Sequence, residues 1–462
     1  MELEGVVIKL NRSITRLILV FLAIEIIFIS SINVAWFTSY TAPLLALSAR
    51  ICVGEVFLNE SYSIYVDVVE HSSRYIFAGP IGLPLLISIP ACVARIGGNP
   101  LFIGGVVVSI FGLASTILTY TLARLYDERY ALAAALIASL GGMLWIYSSH
   151  IFPQIPLTFS MLLTIYLAIL AIRRGIAGKR IYFLLGFLSS LALLMDPMAL
   201  LASLGVCAIV AIYVARNLGA RILLRGFILW LAGFAPLAIV QILYNLTTAG
   251  DPFSFPETLL LKKLGVDGFL GISVDPLYGL YMLIIDPRKG LIPLYPVLGV
   301  GLVMLPRFLS SIRNTYERSV FAAYLALYMI PHSMWYDFDG GLSYGPRFLV
   351  PITPVLALPI QLLLIKRPKT GTLVLALSTF SIFTNSVVVT VTPYPCALED
   401  MAFPSNQFIS CVVPRLFEGI RAGYLYEILR ASIGDLPSLL ASVSMLSIAS
   451  TALIIYTTVK KI

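Results

Sequence analysis

The chain has 462 residues, 59% of them hydrophobic and only 12% charged, with a mean hydropathy of +0.95 and a formal net charge of +8. Surface scaling leaves a soluble protein of this size too little interior to hide so much apolar surface, so a soluble globular domain is excluded and the solvent must be lipid. In such a chain basic residues mark cytoplasmic loops, so the positive balance is read for topology and not as an affinity for nucleic acid.

Apolar stretches near the roughly 20 residues needed to cross a bilayer recur along the whole chain, which predicts an all-α, polytopic transmembrane helical protein. Lys9, Arg12 and Arg16 precede the first span, 17–36, and place the N-terminus in the cytoplasm. That span lacks a small-residue cleavage site and reads as an anchor. Residues 37–100 then form a large first outer loop. Within it the apolar run 81–98 contains Pro84 and Pro90, carries Arg95 and ends in Gly97 and Gly98. If that run crossed, Arg173, Arg174, Lys179 and Arg180 would fall outside, so it is read as a juxtamembrane helix on the outer surface.

Further spans are predicted over 101–122, 131–149, 154–172, 181–195, 198–215, 226–245, 291–306, 319–335, 348–365, 371–392 and 437–459, about twelve in all. On this arrangement 20 of the 31 basic residues lie inside and both termini are cytoplasmic. Asp67, Glu70, Asp196, Asp251, Asp286, Asp337 and Asp339 fall on the outer face or at its boundary. Carboxylates count for little in topology selection, so their segregation predicts an outward-facing polar site in a multi-pass cell-membrane protein.

The chain is therefore read as a single integral membrane domain, 1–462, with outer segments 37–100, 247–290 and 393–436. The second is broken by Pro, Gly and charge and is expected to form interfacial helices and turns. Cys396 and Cys411 share the third, which leaves a disulfide open, and Cys52 and Cys92 also lie outside. His71, His150 and His332 are scattered, and no Cys and His cluster has metal-ligand spacing. Walker, Rossmann and GxSxG motifs are missing, so the sequence assigns neither metal nor cofactor.

The densest polar stretch, WYDFDGGLSYGPRFLVP at 335–351, lies where one span ends and the next begins. Asp337 and Asp339 emerge at the interface, while Gly340, Gly341 and Gly345 permit backbone conformations and close ligand approach denied to other residues. Arg347 offers a planar fork suited to phosphate oxygens. Trp335, Tyr336 and Tyr344 fit an interfacial aromatic belt. The plainer alternative is a tight turn in which Arg347 pairs with Asp337 or Asp339 as structural glue.

The pattern W-x(4)-GG-x-S-x-GPR-x(3)-P-x(2)-P, carried by Trp335, Gly340, Gly341, Ser343, Gly345, Pro346, Arg347, Pro351 and Pro354, resembles prokaryotic members of the GT-C glycosyltransferase superfamily. These are relatives of the family 39 protein mannosyltransferases and of the enzymes that transfer aminoarabinose to lipid A. Three further pieces follow the group's order: Gly79 to Pro84, YN-x(4)-GDPF at Tyr244 to Phe253, and DPRKGL at Asp286 to Leu291. The resemblance implies a first outer loop with a catalytic carboxylate and transfer of a sugar from a polyprenyl phosphate carrier. The sequence departs from the pattern in places. No acid follows the first span in WFTSYTAPLL, Ala78 stands where the nearer relatives carry a lysine, and Ile81 separates Pro80 from Gly82.

The function expected is a membrane glycosyltransferase moving a sugar from a polyprenyl-phosphate carrier to an unknown glycan, lipid or protein acceptor on the outer face. Such transfer needs a carboxylate to take the acceptor's proton and positive donors for the departing phosphate. Asp67 is the expected base with Glu70 as its deputy. Arg347, Arg288 and Lys289 are the expected phosphate donors, and Asp337, Asp339, Gly340, Gly341 and Tyr344 complete the substrate site. Asp196 and His150, at span ends, are expected to be structural. Two alternatives stand beside this reading: a noncatalytic polyprenyl-lipid-binding or envelope-assembly protein on the same scaffold, and a secondary transporter, against which the lack of repeat symmetry counts.

Overall fold

The structure, a computed structural model, describes residues 2–459 apart from 36, 95–97, 176–177, 267–270, 367, 393, 395 and 420, with the side chains of 2–13, 94, 366, 368–369 and 459 outside the description. Arg95 and Gly97 of the expected surface helix, Arg367, Lys460, Lys461 and the side chains of Lys9 and Arg12 thus lie outside the described residues.

The chain is a multi-pass helical membrane protein. Helix α1 (Glu2–Ser30) is followed by α2 (Thr41–Ile51), a hairpin of β1 (Val68–His71) and β2 (Arg74–Phe77), α3 (Gly82–Ala94) and α4 (Pro100–Arg124). Then come α5 (Ala131–Ser139), α6 (Leu144–Ser148), α7 (Gln154–Arg174), α8 (Lys179–Met195), α9 (Ala199–Asn217) and α10 (Ala220–Ala249). Two short helices, α11 (Pro256–Lys263) and α12 (Pro276–Ile284), precede α13 (Leu291–Leu294), α14 (Pro296–Ser311) and α15 (Thr315–Ser333). The remainder is α16 (Thr353–Ala357), α17 (Gln361–Lys366), α18 (Pro368–Val391), α19 (Val413–Phe417), α20 (Tyr424–Ile433) and α21 (Asp435–Val459).

Seven helical stretches among the described residues are long and apolar enough to cross a membrane: Pro100–Arg124, Gln154–Arg174, Ala199–Asn217, Ala220–Ala249, Arg347–Ile365, Thr370–Val391 and Asp435–Thr458. The expected spans 181–195, 291–306 and 319–335 appear as α8, α14 and α15, helices of 17, 16 and 19 residues. Local chemistry sets several ends. The Asn99 side chain accepts from the N–H groups of Leu101 and Phe102, with Pro100 at the first helical position, so α4 starts there. Gly175, at φ 59°, closes α7 in the left-handed conformation.

The expected span 131–149 is not one helix. It breaks between α5 and α6, where Gly141 and Gly142 weaken helix formation by about 1 kcal/mol each. Asn385 of α18 donates to the freed, buried carbonyls of Leu140 (3.0 Å) and Gly142 (2.9 Å). Non-helical backbone at membrane depth persists only where protein covers it, and residues 133–158 are all buried. Arg347 to Lys366 is likewise composite, with 3-10 turns at Arg347–Ile352 and Leu358–Ile360 beside α16 and α17. Pro351, Pro354 and Pro359 remove the donors a regular helix needs.

The bundle is packed like a membrane protein. Helix α10 turns Leu224, Phe227, Ile228, Ile239 and Leu243 outward, while its Gly233 and the Gly186 of α8 bring the two backbones together. A Cβ at Gly186 would run into the Trp230 carbonyl, and one at Gly233 into that of Phe183. At one end of the bundle Arg173 makes two hydrogen bonds to Glu317, at 3.0 and 2.9 Å.

At the other end the connecting segments interlock. Ile272 bridges to Trp335 and Asn33 to Gly423. The Gln407 side chain accepts from the Gly345 N–H (2.8 Å) and donates to the carbonyls of Ser343 (3.1 Å) and Cys396 (2.9 Å). Disulfides Cys52–Cys92 and Cys396–Cys411 tie α2 to α3 and close the segment before α19.

Candidate functional site

A pocket enclosing about 900 Å³, its mouth included, opens among these interlocked segments. Its polar wall is built from far-apart pieces of chain: Tyr40 before α2, Asp67 before β1, Asp196 between α8 and α9, Glu257 in the first turn of α11, His332 at the end of α15, and Tyr336, Asp337 and Arg347. Ala78, Pro197, Met198, Leu261 and Phe348 supply much of its apolar lining.

Asp67 is held by the hairpin. Its carbonyl accepts from the Ala78 N–H at 2.9 Å, which extends the pairing of Val68 with Phe77 by one step. Burial raises the Asp67 carboxyl above the ordinary carboxylate range, opposed by a hydrogen bond with Ser39 and by the charges of Arg347 and Lys263. A half-buried carboxyl of this kind is a competent proton acceptor once ionised.

Arg347 enters the pocket from the first turn of its segment. Its Nη2 lies 3.3 Å from Asp337 Oδ2, and its guanidinium lies over the rings of Phe348 (4.8 Å) and Phe152 (5.4 Å). Its Nε–H is buried and meets no acceptor. Gly340, at φ 77°, makes room for it: a Cβ there would stand 2.7 Å from Arg347 Cγ. Burial pushes the Asp337 carboxyl up to about 6, with Arg347 opposing the shift.

His332 and Asp196 form a second wall. His332 Nε2 lies 2.8 Å from Asp196 Oδ2, and its Nδ1 lies 2.7 Å from the Tyr328 carbonyl. Asp196 also accepts from the Met198 N–H at 2.9 Å. Burial would raise the Asp196 carboxyl, but His332 and the backbone donors outweigh it and hold the carboxyl below its usual value.

Of the residues the sequence singles out, Asp67, Asp337 and Arg347 line the pocket, and Gly340 packs beneath Arg347. Lys289 is buried behind it, donating to Asp339 Oδ2 (3.1 Å) and the Gly341 carbonyl (2.6 Å). Arg288 pairs with the buried Asp286 at 3.1 Å and also stays out of the pocket. Tyr344 is buried, its carbonyl accepting from the Tyr147 hydroxyl at 2.9 Å. Glu70 lies on β1, exposed, beside a separate groove lined by Lys262 and Lys263. The strand sends it away from Asp67 although the two are three residues apart.

Glu257 and His332 are pocket residues that sequence reasoning did not select. Glu257 carried one available signal: it follows Pro256 at a helix start inside a predicted interfacial segment. Nothing local could join His332 to Asp196, which are 136 residues apart. Among the described residues no group of three or more His, Cys, Asp or Glu side chains is placed to hold a metal ion.

The helical order, the interlocked segments and the pocket they enclose form a multi-pass membrane fold shared with solved structures. Among solved structures the chain is similar to ArnT from Cupriavidus metallidurans bound to undecaprenyl phosphate, with a TM-score of 0.58 and 13% identity over 97% of this chain and 78% of that one. The apo state of the same protein gives a TM-score of 0.56, 13% identity, and coverage of 96% and 78%. At this identity the likeness is one of fold. A looser likeness to the archaeal oligosaccharyltransferase AglB from Archaeoglobus fulgidus has a TM-score of 0.43 at 14% identity, covering 93% of this chain and 56% of that one, and carries no argument. No family model and no curated protein matches the chain in sequence.

Proposed function

We propose that the chain is a glycosyltransferase that moves a sugar from a polyprenyl-phosphate carrier to an acceptor on the outer face of the membrane. The observation that carries this reading is Arg347, aimed into the pocket that holds Asp67, with a buried Nε–H still free to donate. A guanidinium with an unspent donor in a half-closed cavity suits an anionic oxygen ligand such as a phosphate. The ArnT structure of the same fold is bound to undecaprenyl phosphate, which supports a lipid phosphate as that ligand.

In this reading Asp67 takes the proton of the acceptor hydroxyl as that oxygen bonds to the anomeric carbon. The bond from that carbon to the phosphate oxygen breaks, and the electron pair leaves with the phosphate, whose charge Arg347 meets. Asp337 orients the guanidinium. Arg288 and Lys289 are committed to Asp286 and Asp339, so their part in phosphate binding reduces to bracing the wall behind Arg347. The two disulfides, both at the pocket end, support an oxidising outer side for it, and with it cytoplasmic termini.

A second reading, a noncatalytic lipid-binding protein on this scaffold, is favoured by Ala78. It lines the pocket at the position where the resemblance calls for lysine, and Arg347 is the only arginine or lysine among the described lining residues. Turnover separates the two readings. Protein in liposomes with polyprenyl-phosphate sugar and a membrane extract as acceptor should release free polyprenyl phosphate, and Asp67→Asn should slow that release by roughly 100-fold without lowering the unfolding temperature. Release at the wild-type rate from Asp67→Asn contradicts the proposed role, and no release from the wild-type protein favours the noncatalytic reading.

A further inference from the structure

Glu257 stands in the first turn of α11, half-buried, and its carboxyl meets no ion pair or hydrogen bond among the described residues. The helix that carries it is firmly docked. Lys263 Nζ donates to the Val68 carbonyl at 3.1 Å, and Leu260 packs on Val69 and Ala78. The pocket therefore presents a fixed carboxyl that no described side chain or backbone group pairs with.

The charges around it do not balance. Four carboxyls, Asp67, Asp196, Glu257 and Asp337, share the pocket with Arg347 and His332. Arg347 is already paired with Asp337 and His332 with Asp196. Asp67 keeps a hydrogen bond with Ser39 and the fields of Arg347 and Lys263. Glu257 faces Asp67 and Asp196, with Tyr244 of α10, Tyr40 and Tyr336 also within its field. On its own helix Lys262 and Lys263 line the separate groove on the hairpin side.

We propose that Glu257 works as a neutral carboxylic acid that donates a hydrogen bond to the phosphate of the polyprenyl carrier, sharing with Arg347 a charge that the pocket's single arginine would otherwise hold alone. This rests on reading the pocket as the carrier-phosphate site. Carboxyls crowded in a half-closed cavity do not all ionise together, and the proton stays where compensation is least. Burial, then Asp196 and Asp67, push the Glu257 carboxyl up to about 8. A protonated carboxyl is an O–H donor, and its hydrogen bond to an anionic oxygen is short and strong. An arriving phosphate adds negative charge and holds the proton more firmly. The neutral donor is therefore present at neutral pH and is lost as pH rises through its raised value, when a carboxylate would face the phosphate.

The test is binding of undecaprenyl phosphate, with no sugar attached, to the full-length protein in lipid nanodiscs between pH 7.5 and 9.5. A phosphate monoester is already almost fully ionised across that range. The wild-type affinity should fall by about tenfold over it. Glu257→Gln keeps an N–H donor and cannot ionise, so its affinity should hold nearly level. A level wild-type affinity overturns the proposal without need of any variant, and so does a folded Glu257→Gln protein that declines as the wild type does. Failure of the wild-type protein to bind at any pH overturns the carrier reading itself along with this one.

Discussion

His332 Nε2 and Asp196 Oδ2 lie 2.8 Å apart in the wall of the pocket, although 136 residues separate them in the chain. The other ring nitrogen of His332 faces the Tyr328 carbonyl at 2.7 Å, which can only accept, so Nδ1 must carry a proton. The ring is stacked on Tyr328 with centroids 4.2 Å apart. This pair locks the α8–α9 turn against the end of α15 and so sets the floor on which Asp67, Glu257 and Arg347 converge.

Removing one member leaves the other buried without its partner, so Asp196→Ala should cost about 3 kcal/mol or more of stability. The check is thermal unfolding of the purified protein. The pH sign follows from the Asp196 carboxyl, which is held below its usual value in the folded state. Its contribution is present above the unfolded carboxylate value near ~3.9 and disappears as pH falls through the lower folded value. A stability loss in Asp196→Ala that is the same at acid and neutral pH would argue against the pairing.

Arg288 and Lys289 should behave as structural residues. Asp286 is 1% exposed and pairs with Arg288, and Lys289 is 2% exposed and bonds to Asp339 and Gly341. Lys289→Met should lower the unfolding temperature while leaving undecaprenyl phosphate affinity in the folded fraction within about twofold, since the side chain is not in the pocket. A large fall in affinity with unchanged stability would return Lys289 to the binding site.

The fold was legible in the sequence because each of its signals is local. Span lengths, the Pro and Gly punctuation of residues 335–359, and the Asn99–Pro100 helix start all act within a few residues of themselves. The 131–149 segment misled because its hydrophobicity is that of a span. Gly141 and Gly142 weaken the helix there, and the break is held by Asn385, a residue more than 240 positions later that satisfies the freed carbonyls. Part of the pocket was legible too: Asp337 and Arg347 are neighbours in one stretch, and Asp67 lies in the first outer loop, where the resemblance implies a carboxylate. Glu257, His332 and Asp196 meet only through packing. Glu70, three residues from Asp67, would share its face on a helix, and the strand at Val68–His71 turns the two apart.

Thiol counting tests the closure of the pocket end. Of the five cysteines, Cys207 is the only free one among the described residues, with Cys52–Cys92 and Cys396–Cys411 bonded. Alkylation of the denatured protein, read by mass spectrometry, should label one cysteine without reductant and all five after reduction. Three or five labels without reductant would mean that one or both bridges are absent.

The Asp67 carboxyl gives the pH profile of turnover its acid limb. Its folded value is raised by burial, and the base must be ionised to accept a proton. The rate should therefore fall, as pH drops, through a value above the ordinary carboxylate range near ~3.9. Glu70→Gln should leave both rate and profile unchanged, since Glu70 is exposed and outside the pocket. A profile that moves in Glu70→Gln would exchange the two roles.

Whether the pocket holds a lipid phosphate against Arg347 is decided by the binding of undecaprenyl phosphate at pH 7.5 to folded Arg347→Lys, with Arg288→Lys measured beside it. Lysine keeps the charge and loses the planar fork with its free Nε–H. Affinity should fall by about tenfold or more in Arg347→Lys, in line with the loss of a charge-assisted hydrogen bond, and change little in Arg288→Lys in its folded fraction. Affinity unchanged in Arg347→Lys and lowered in Arg288→Lys would contradict that binding and move the phosphate out of this pocket.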